Sequence, residues 1–360
     1  MTRRKTSVFF LSLILIISAC TDLSGCAQSR KAPYSKQGFY FDTLISITVY
    51  DGGDDEILNE CFDLCKHYEN LFSKTVPGSD ISRINEAMGK SVSVSEETID
   101  LIEKAVGYYE LSDGLYDITI KPLVDAWGFE ALNDKDAKPL LPSKEQTDTA
   151  LSHVSSDNIL IDRSAGTVTL KDPLASMDTG SIAKGYIADR LRDFLISRGV
   201  GSALIDLGGN ITVINGKAVS GDKTAPGNKT VQENKDQTDF IIGIRDPFDP
   251  GKREPAISLS VRDTSVVTSG IYERYLTIDG IKYHHILDKN TGFPVDNSLE
   301  SVTVITHDAA DADALSTVCL LLGEEKGLSL INGIEDCEAV FIKKDGTFAY
   351  SEGAMDLLKR

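Results

Sequence analysis

The chain has 360 residues, of which 41% are hydrophobic and 26% are charged, and its formal net charge is −18. This composition excludes an intrinsically disordered chain and, with only six Cys, a disulfide scaffold. The acidic surplus also argues against a protein that coats a nucleic-acid duplex, because phosphate contacts need Lys and Arg. A metal ion or a helix N-terminus can still hold phosphate locally, so a small anionic ligand remains compatible with this charge.

The first 19 residues predict a lipoprotein signal peptide. A short basic stretch precedes an apolar run over residues 8–17, which is too short to span a bilayer but has the length of a signal-peptide core. The run ends in Ile17–Cys20, the small-small-Cys pattern of a lipoprotein processing site. A second such pattern ends at Cys26, but Asp22 interrupts its apolar approach, which favours Cys20 as the lipidated residue. An ordinary secretory signal is the alternative.

The mature chain is therefore expected to be a palmitate-bearing lipoprotein, anchored on the extracytoplasmic face of the cell membrane through a polar tether at residues 20–37. Residues 38–360 predict one α+β domain with two lobes, mixed sheets and packed helices. Residues 216–237 are poor in apolar side chains and predict a solvated surface insertion.

The first predicted element is a single strand over Phe39–Val49, and the next are helices over Asp54–Phe72 and Ser95–Leu111. Cys61 and Cys65 share the apolar face of the first helix, where core packing explains them better than a metal site. The remaining predicted strands lie at 158–163, 166–171, 203–207, 239–244, 256–261, 275–278 and 301–306, and the remaining helices at 144–151, 181–197 and 309–322.

The strand-to-helix turn at residues 176–186 carries the first group of polar residues. Asp178 follows an apolar residue, and Gly180 and Ser181 open the predicted helix, whose first turn carries Lys184. Free backbone N–H groups beside a lysine suit a phosphate or a polarised carbonyl. Taken alone, the segment is explained at least as well by a turn and a helix N-cap.

The predicted helix over 309–322 places Asp313 and Thr317 four residues apart, so both oxygens project from one face. A carboxylate and a hydroxyl one turn apart form a reasonable site for a hard cation such as Mg²⁺. The alternative is an acidic first turn that interacts with the helix dipole.

Two adjacent histidines, His284 and His285, precede a turn that is rich in Asp, Asn, Gly and Pro. Neighbouring residues on a strand face opposite sides, so at most one of the two readily faces a given cleft. Histidine is the side chain best suited to remove a proton from a hydroxyl near neutral pH. A surface histidine at a strand end is the alternative for either residue.

Seven segments in chain order resemble the ApbE-type FAD:protein FMN transferases, from about residue 39 to about residue 330. They are SDISRIN, YDITIKPLVDAWGF, MDTGSIAKGY, DLGGN, SGIYERY, HHILDKNTGFP and ADALST. The resemblance implies Mg²⁺-dependent transfer of FMN from FAD to a Thr or Ser hydroxyl of an acceptor protein, with release of AMP. Expected acceptors are membrane redox-complex subunits or FMN-binding domains. The competing interpretations are an FAD pyrophosphatase that yields FMN and AMP, and a non-catalytic ligand-binding lipoprotein.

The resemblance also implies roles for single residues. Asp313 and Thr317 match the metal ligands, with the main-chain carbonyl of Ser181 as a third. His285 matches the base that acts on the acceptor hydroxyl, and His284 is its less favoured neighbour. The positions implied to contact FAD are Ser79, Asp80 and Asn85, in a loop that borders the nucleotide, and Tyr116, Asp117, Asp178, Lys184, Ile286 and Leu287.

Two segments depart from the family pattern. Phe41-Asp42-Thr43 stands where the family usually has Met-Gly-Thr, which affects a local flavin contact. Asp288-Lys289 stands where Asp-Pro is usual, and the insertion at 216–237 is longer than expected. These departures concern the pocket wall and leave the residues assigned to the chemistry in place.

Overall fold

A computed structural model describes residues 32–129, 140–218, 237–249 and 251–359. The predicted signal peptide, the lipidation site Cys20, most of the tether and positions 219–236 of the insertion lie outside the described residues. Pro33–Arg360 form one compact unit, as expected for a single domain. None of the helices within the described residues has the length and apolar character that a bilayer crossing needs.

Nineteen strands are present in the described residues. They are β1 (Tyr34–Tyr40), β2 (Thr43–Asp51), β3 (Val92–Ser93), β4 (Ile159–Asp162), β5 (Thr167–Leu170), β6 (Ser202–Leu207), β7 (Asn210–Ile214), β8 (Lys217–Ala218), β9 (Gln237–Thr238), β10 (Phe240–Ile244), β11 (Ile257–Val261), β12 (Ser265–Gly270), β13 (Tyr275–Ile278), β14 (Ile281–His284), β15 (Leu287–Asp288), β16 (Phe293–Pro294), β17 (Leu299–Thr306), β18 (Glu338–Lys343) and β19 (Phe348–Tyr350).

Eight α-helices accompany these strands in the same part of the chain. They are α1 (Asp55–Phe72), α2 (Asp80–Glu86), α3 (Glu96–Leu111), α4 (Lys121–Trp127), α5 (Lys144–Leu151), α6 (Ala183–Ser197), α7 (Ala309–Leu322) and α8 (Glu324–Ile331). Every strand and helix predicted after residue 50 is present within two residues of its expected bounds. The sequence patterns did not predict α2, α4, α8, β3, β7, β8, β9, β12, β14, β15, β16, β18 or β19.

The main sheet has eight strands in the order β1-β2-β6-β7-β12-β17-β18-β19. All strand pairs in the described residues are antiparallel, whereas mixed sheets were expected. For β6 and β7 the connection explains the difference, because the two-residue hairpin Gly208–Gly209 can only join antiparallel neighbours. The α+β class itself is confirmed.

The first strand differs from the prediction. The prediction of a single strand over Phe39–Val49 is wrong, because β1 and β2 form a hairpin. Its turn residues, Phe41 and Asp42, have φ of 54° and 58°. The left-handed conformation at both positions is that of a tight hairpin turn, although no glycine marks it in the sequence. The Phe41 N–H donates to Glu69 at 2.8 Å, which stabilises the turn. Positions 34–37, placed in the tether, belong to β1.

Helices α6 and α7 pack on the main sheet and against each other with an unusually close approach. A Cβ at Gly185 would lie 2.2 Å from the carbonyl oxygen of Ala309, so only glycine fits there. The Asp189 carboxylate of α6 accepts hydrogen bonds from the N–H groups of Ala309 (2.8 Å) and Ala310 (2.9 Å). Helix α6 therefore caps the start of α7 and fixes the position of Asp313 one turn later.

The core cysteines agree with the sequence interpretation. Cys61 and Cys65 are buried on the inner face of α1 together with Tyr68 and Phe72. These two thiols, and those of Cys319 and Cys337, are free and buried. Burial raises the pKa of Cys61 and of Cys65 to about 12, so neither is a thiolate at neutral pH.

Candidate functional site

One wall of the site is the face of α7 that carries Asp313 and Thr317. The Asp313 side chain is buried, and its Oδ2 accepts a hydrogen bond from the Gly185 N–H at 3.0 Å. The Thr317 hydroxyl lies 3.1 Å from the hydroxyl of Ser269 in β12, which is also 2.7 Å from that of Ser316. The structure thus places one buried carboxylate beside a small group of hydroxyls.

Lys184 brings a cation to this carboxylate. Its Nζ lies 3.6 Å from Asp313 Oδ1 and donates to the carbonyl oxygen of Gly180 at 3.0 Å. Helix α6 begins at Ala183, two residues later than predicted, so Lys184 is its second residue. The sequence segment 176–186 and the helix 309–322 therefore meet at Asp313.

Asp178 is held in place by protein groups on both carboxylate oxygens. Lys74 donates to Oδ2 at 2.8 Å, and the Gly180 N–H donates to Oδ1 at 2.9 Å. Burial by itself would raise the pKa of Asp178, but the Lys74 ammonium and the Gly180 N–H outweigh it, so the pKa lies below its usual value. The Gly180 N–H, expected to face a phosphate, is engaged by Asp178 instead.

The segment SDISRIN, expected to be a loop, is the short helix α2. The Ser79 hydroxyl caps its first turn by accepting from the Ser82 N–H at 3.0 Å. Buried Asp80 accepts from the Ser95 N–H and the Thr98 hydroxyl, both at 2.8 Å, and so secures the start of α3. These contacts make Ser79 and Asp80 structural supports of the site.

Asn85, at the end of that segment, reaches the main chain next to Asp178. Its Nδ2 donates to the Met177 carbonyl at 2.9 Å, and its Oδ1 accepts from the Met177 N–H at 2.7 Å. This paired contact fixes the peptide that precedes Asp178. Asn85 is thus a neighbour of the site through Met177.

Tyr116 and Asp117 sit side by side but differ in their surroundings. The buried Tyr116 hydroxyl accepts a hydrogen bond from the Ser181 hydroxyl at 2.8 Å. Burial raises the pKa of Tyr116 well above its usual value, so the phenol stays protonated. Tyr116 therefore joins the Ser181 turn directly.

The Asp117 carboxylate has its acceptor positions filled by protein donors. Oδ1 accepts from the N–H and hydroxyl of Thr119 and from the Ser156 hydroxyl, and Oδ2 accepts from the Ser156 N–H at 3.2 Å. Lys289, one of the family departures, completes the set with an Nζ 3.2 Å from Oδ2. Asp117 therefore supports the wall of the site and ties the HHILDKNTGFP segment to it.

His285 is fixed with one ring nitrogen available. Both its main-chain N–H (3.1 Å) and its Nδ1 (3.0 Å) bond to the Arg274 carbonyl, so Nδ1 carries the proton and Nε2 keeps its lone pair. Burial lowers the pKa of His285 to about 4, with the Arg274 charge acting in the same direction, whereas the Asp178 carboxylate acts against it. The imidazole is therefore neutral near pH 7.

His284 faces the other way, as expected for adjacent strand residues. It is buried, and its Nε2 lies 3.2 Å from the Val295 carbonyl. Ile286 and Leu287, which follow, are also buried and pack in two different core clusters. Both side chains thus position the segment after His285.

The sequence patterns missed a charged group that surrounds the site. The carboxyl of Glu273 has its pKa raised by desolvation in the cleft and by Asp313, whereas Lys184, Arg274 and Arg245 lower it. Glu273 and Arg274 lie in the segment SGIYERY, where alternating charges were the available signal. No local sequence pattern pointed to Lys74 as a site residue, since 104 residues separate it from Asp178.

These neighbours give the site a different charge balance from the whole chain. Four cationic side chains face three carboxylates: Lys74, Lys184, Arg245 and Arg274 against Asp178, Glu273 and Asp313. A chain with a net charge of −18 therefore brings cationic side chains to the place where these carboxylates converge.

The donor set also suits Mg²⁺. Among the described residues there is no cluster of three His, Cys, Asp or Glu side chains arranged to hold a metal. Asp313 and Thr317 instead offer a carboxylate and a hydroxyl, both hard oxygen donors. Mg²⁺ is usually bound by one or two carboxylates and keeps positions for water and substrate phosphates. The residues present therefore fit that ion.

The ApbE family model matches residues 41–341 of this chain. The chain belongs to the ApbE family. An FAD:protein FMN transferase of Klebsiella pneumoniae (strain 342) is 34% identical over 321 residues, which cover 88% of this chain and 92% of that protein. One from Treponema pallidum (strain Nichols) is 31% identical over 363 residues, covering 99% and 97%. The family expected from the seven segments is confirmed.

Solved structures of ApbE proteins share the fold. The ApbE protein of Thermotoga maritima superposes with a TM-score of 0.78 at 28% identity, covering 91% of this chain and all of that one. The flavin transferase ApbE of Vibrio cholerae gives a TM-score of 0.74 at 25% identity with the same coverage. The α+β architecture is therefore that of the family.

Proposed function

We propose that this protein is an FAD:protein FMN transferase, which moves FMN from FAD to a Thr or Ser hydroxyl of an acceptor protein. The observation that carries the proposal is the tethered imidazole of His285. The imidazole interacts with the charges of Asp178 and Arg274, and Glu273 beside Arg274 interacts with Asp313 and Lys184. A fixed, neutral proton acceptor beside an anion-binding site is what attack by a hydroxyl on a phosphate requires.

In the proposed reaction the acceptor oxygen forms a bond to the phosphorus of the FMN half. The bond from that phosphorus to the bridging oxygen of the diphosphate breaks, and AMP leaves. The hydroxyl proton passes to His285 Nε2, while the Nδ1–H bond to Arg274 keeps the ring oriented. Because the imidazole has a low pKa, it accepts this proton only as the hydroxyl attacks the phosphorus. Proton transfer to His285 is therefore confined to the reacting complex.

The cationic side chains balance the charge of the diphosphate. Lys184 has one hydrogen bond to Gly180 and a loose 3.6 Å approach to Asp313, so its ammonium can also bond a phosphate oxygen. A bound Mg²⁺ would be held by Asp313, Thr317 and the main-chain carbonyl of Ser181, and it would supply charge neutralisation at the diphosphate.

The remaining residues implied by the resemblance act mostly as supports. We assign Tyr116 and Asp178 to contacts with FAD, since each borders the Ser181 turn with a polar side chain. We assign Ser79, Asp80, Asn85 and Asp117 to positioning, because their hydrogen bonds hold segments outside the Ser181 turn, at Ser82, Ser95, Met177 and Ser156. Ile286 and Leu287 position His285 through the core.

We further propose that Cys20 carries the lipid and that the enzyme works on the extracytoplasmic face of the membrane. The basic stretch, the apolar run and the Ile17–Cys20 pattern support this placement. Acceptors would then be membrane redox-complex subunits or FMN-binding domains that expose a Thr or Ser on that side.

Incubation with FAD, Mg²⁺ and a candidate acceptor, followed by intact mass measurement of the acceptor, tests the proposal. An added FMN-phosphoryl mass on the acceptor is the expected result. Free FMN and AMP without an adduct would assign the chain to FAD hydrolysis. Bound FAD that is never turned over would assign it to ligand binding.

A further inference from the structure

The segment DLGGN, which joins β6 to β7, has no role in the chemistry described above. Asp206 holds its turn, because the carboxylate accepts a hydrogen bond from the Gly209 N–H at 2.8 Å. Gly208 lets the turn pack on the β1–β2 hairpin, because a Cβ at this position would lie 2.1 Å from Oγ1 of Thr43. These contacts leave Asn210 as the polar residue of the segment without a structural explanation.

Asn210 is a buried amide whose polar atoms are unpaired. The residue is 1% exposed, and within the described residues neither Oδ1 nor Nδ2 has a hydrogen-bond partner. No other buried side chain in this part of the chain has two such atoms. By contrast, the hydroxyl of Thr212, two residues along the same face of β7, lies 3.0 Å from that of Ser265. Buried polar groups are almost always paired, so an unpaired amide indicates a ligand that pairs with it.

The register of the main sheet places this amide where α6 and α7 meet. In β7, Asn210 pairs with Leu207 of β6 and, on its other side, with Val267 of β12. Leu207 belongs to the core cluster that contains Ala183, the first residue of α6. Val267 belongs to the cluster that contains Ala312 of α7. Asn210 therefore lies on the sheet between the residues that pack against these two helices.

The two candidate metal ligands of α7 point into the same region. Asp313 approaches α6, since its Oδ2 accepts from the Gly185 N–H at 3.0 Å. Thr317 approaches the sheet, since its hydroxyl lies 3.1 Å from that of Ser269. Ser269 lies two residues beyond Val267 in β12, so both share the face of the sheet that carries the unpaired amide. The carboxylate, the hydroxyl and the amide thus border one space between α6, α7 and the sheet.

We propose that Asn210 is a positioning residue of the magnesium site, whose amide pairs with the ligands of the cation. The inference rests on the magnesium site of the proposed function. Mg²⁺ keeps several waters when one or two carboxylates hold it. Oδ1 of Asn210 accepts a hydrogen bond from one of these waters, and Nδ2 donates to an oxygen that the cation also binds. Groups that orient metal ligands in this way change metal affinity by about 10–100-fold.

Two variants of the full chain separate this role from a structural one. Asn210→Leu and Thr212→Val each replace a buried polar side chain on the same face of β7 by an apolar one of similar size. The leucine removes an unpaired amide, so the urea concentration at the midpoint of unfolding should stay unchanged or rise. The valine breaks a hydrogen bond that is already formed, so this midpoint should fall.

Metal affinity is measured with Mn²⁺, which takes the same hard oxygen ligands, from the electron paramagnetic resonance signal of the free ion in the presence of FAD. Asn210→Leu should weaken Mn²⁺ binding about tenfold or more, with an unchanged Kd for FAD in the absence of metal. Thr212→Val should bind Mn²⁺ within about twofold of the wild type. Asn210→Asp keeps the oxygen acceptor and adds a negative charge, so it should bind Mn²⁺ at least as tightly as the wild type.

An unchanged Mn²⁺ affinity in Asn210→Leu, or an equal loss of affinity in Thr212→Val, would overturn the proposal. If the leucine variant fails to fold, Asn210→Asp decides the question, and weaker Mn²⁺ binding by this variant would also overturn the proposal. A wild type that binds no Mn²⁺ in the presence of FAD would have the same consequence. A wild type that binds Mn²⁺ but attaches no flavin to an acceptor would refute the transfer reaction alone.

Discussion

Replacing His285 by Gln keeps a polar side chain but removes the nitrogen that accepts the proton. In the structure Nδ1 bonds to the Arg274 carbonyl at 3.0 Å, so only Nε2 is free to act as a base. A positioned general base contributes about 10²–10⁴-fold to a reaction rate, or about 3–5 kcal/mol of barrier. His285→Gln should therefore lower kcat for FMN transfer by this factor, with the Kd for FAD unchanged within about twofold, because no phosphate-binding group is removed.

The pH dependence of the transfer rate provides a second test of the same variant. Because the pKa of His285 is lowered to about 4, chiefly by burial, the wild-type rate should be flat near neutral pH and fall with unit slope below about pH 4. His285→Gln should lose this acid limb. Single-turnover transfer, followed by the appearance of protein-bound flavin, measures both quantities.

His284→Gln is the matched control, since it makes the same substitution one residue away on the opposite face. Its Nε2 bonds to Val295, away from the cluster, so transfer at pH 7 should stay within about threefold of the wild-type rate. Normal transfer by His285→Gln, or equal losses in both variants, would refute the assignment of the base.

Three further predictions concern the metal site, the helix contact and acid stability. Asp313→Ala should abolish Mg²⁺-dependent transfer and leave the Gly185 N–H unpartnered. An unchanged response of the transfer rate to Mg²⁺ concentration would exclude Asp313 as a ligand. Gly185→Ala should destabilise the fold by about 1–3 kcal/mol or more in urea melts, because its Cβ meets Ala309, whereas Gly107→Ala in α3 meets open space and should be neutral or stabilising. Burial lowers the pKa of His284 from 6.5 to about 4. The neutral imidazole therefore makes its full contribution to the free energy of unfolding above about pH 6.5, and this contribution is lost as the pH falls towards 4. His284→Gln should remove about 3 kcal/mol of that pH dependence of unfolding, and identical slopes in the two proteins would contradict this.

Local patterns predicted five of the eight helices, because the packing in those places follows the hydrophobic period. Helices α1 and α3 begin one residue after their capping residues, Asp54 and Ser95, and both caps accept the expected backbone hydrogen bond. The hairpin turn at Phe41–Asp42 was missed because no glycine marks its left-handed backbone, and the Glu69 carboxylate that accepts from the Phe41 N–H lies 28 residues further along the chain. Such long-range contacts cannot be predicted from the pattern of a short stretch of sequence.

The residues of the candidate site also divide into those that local spacing predicted and those whose roles depend on tertiary structure. The spacing of Asp313 and Thr317 predicted a shared helix face, and the structure places both there beside Lys184. The carboxylates of Asp80 and Asp117 each accept from three or more protein donors, whereas that of Asp178 accepts from Lys74 and Gly180. The number of protein donors distinguishes these two supporting carboxylates from Asp178, and it depends on tertiary structure.

The stoichiometry of AMP and protein-bound flavin tests the central claim most directly. Wild-type protein with FAD, Mg²⁺ and an acceptor should release one AMP for each FMN that becomes covalently attached to a Thr or Ser, with no AMP when the acceptor is omitted. AMP that appears with free FMN at the same rate with and without the acceptor would contradict transfer and identify hydrolysis as the activity.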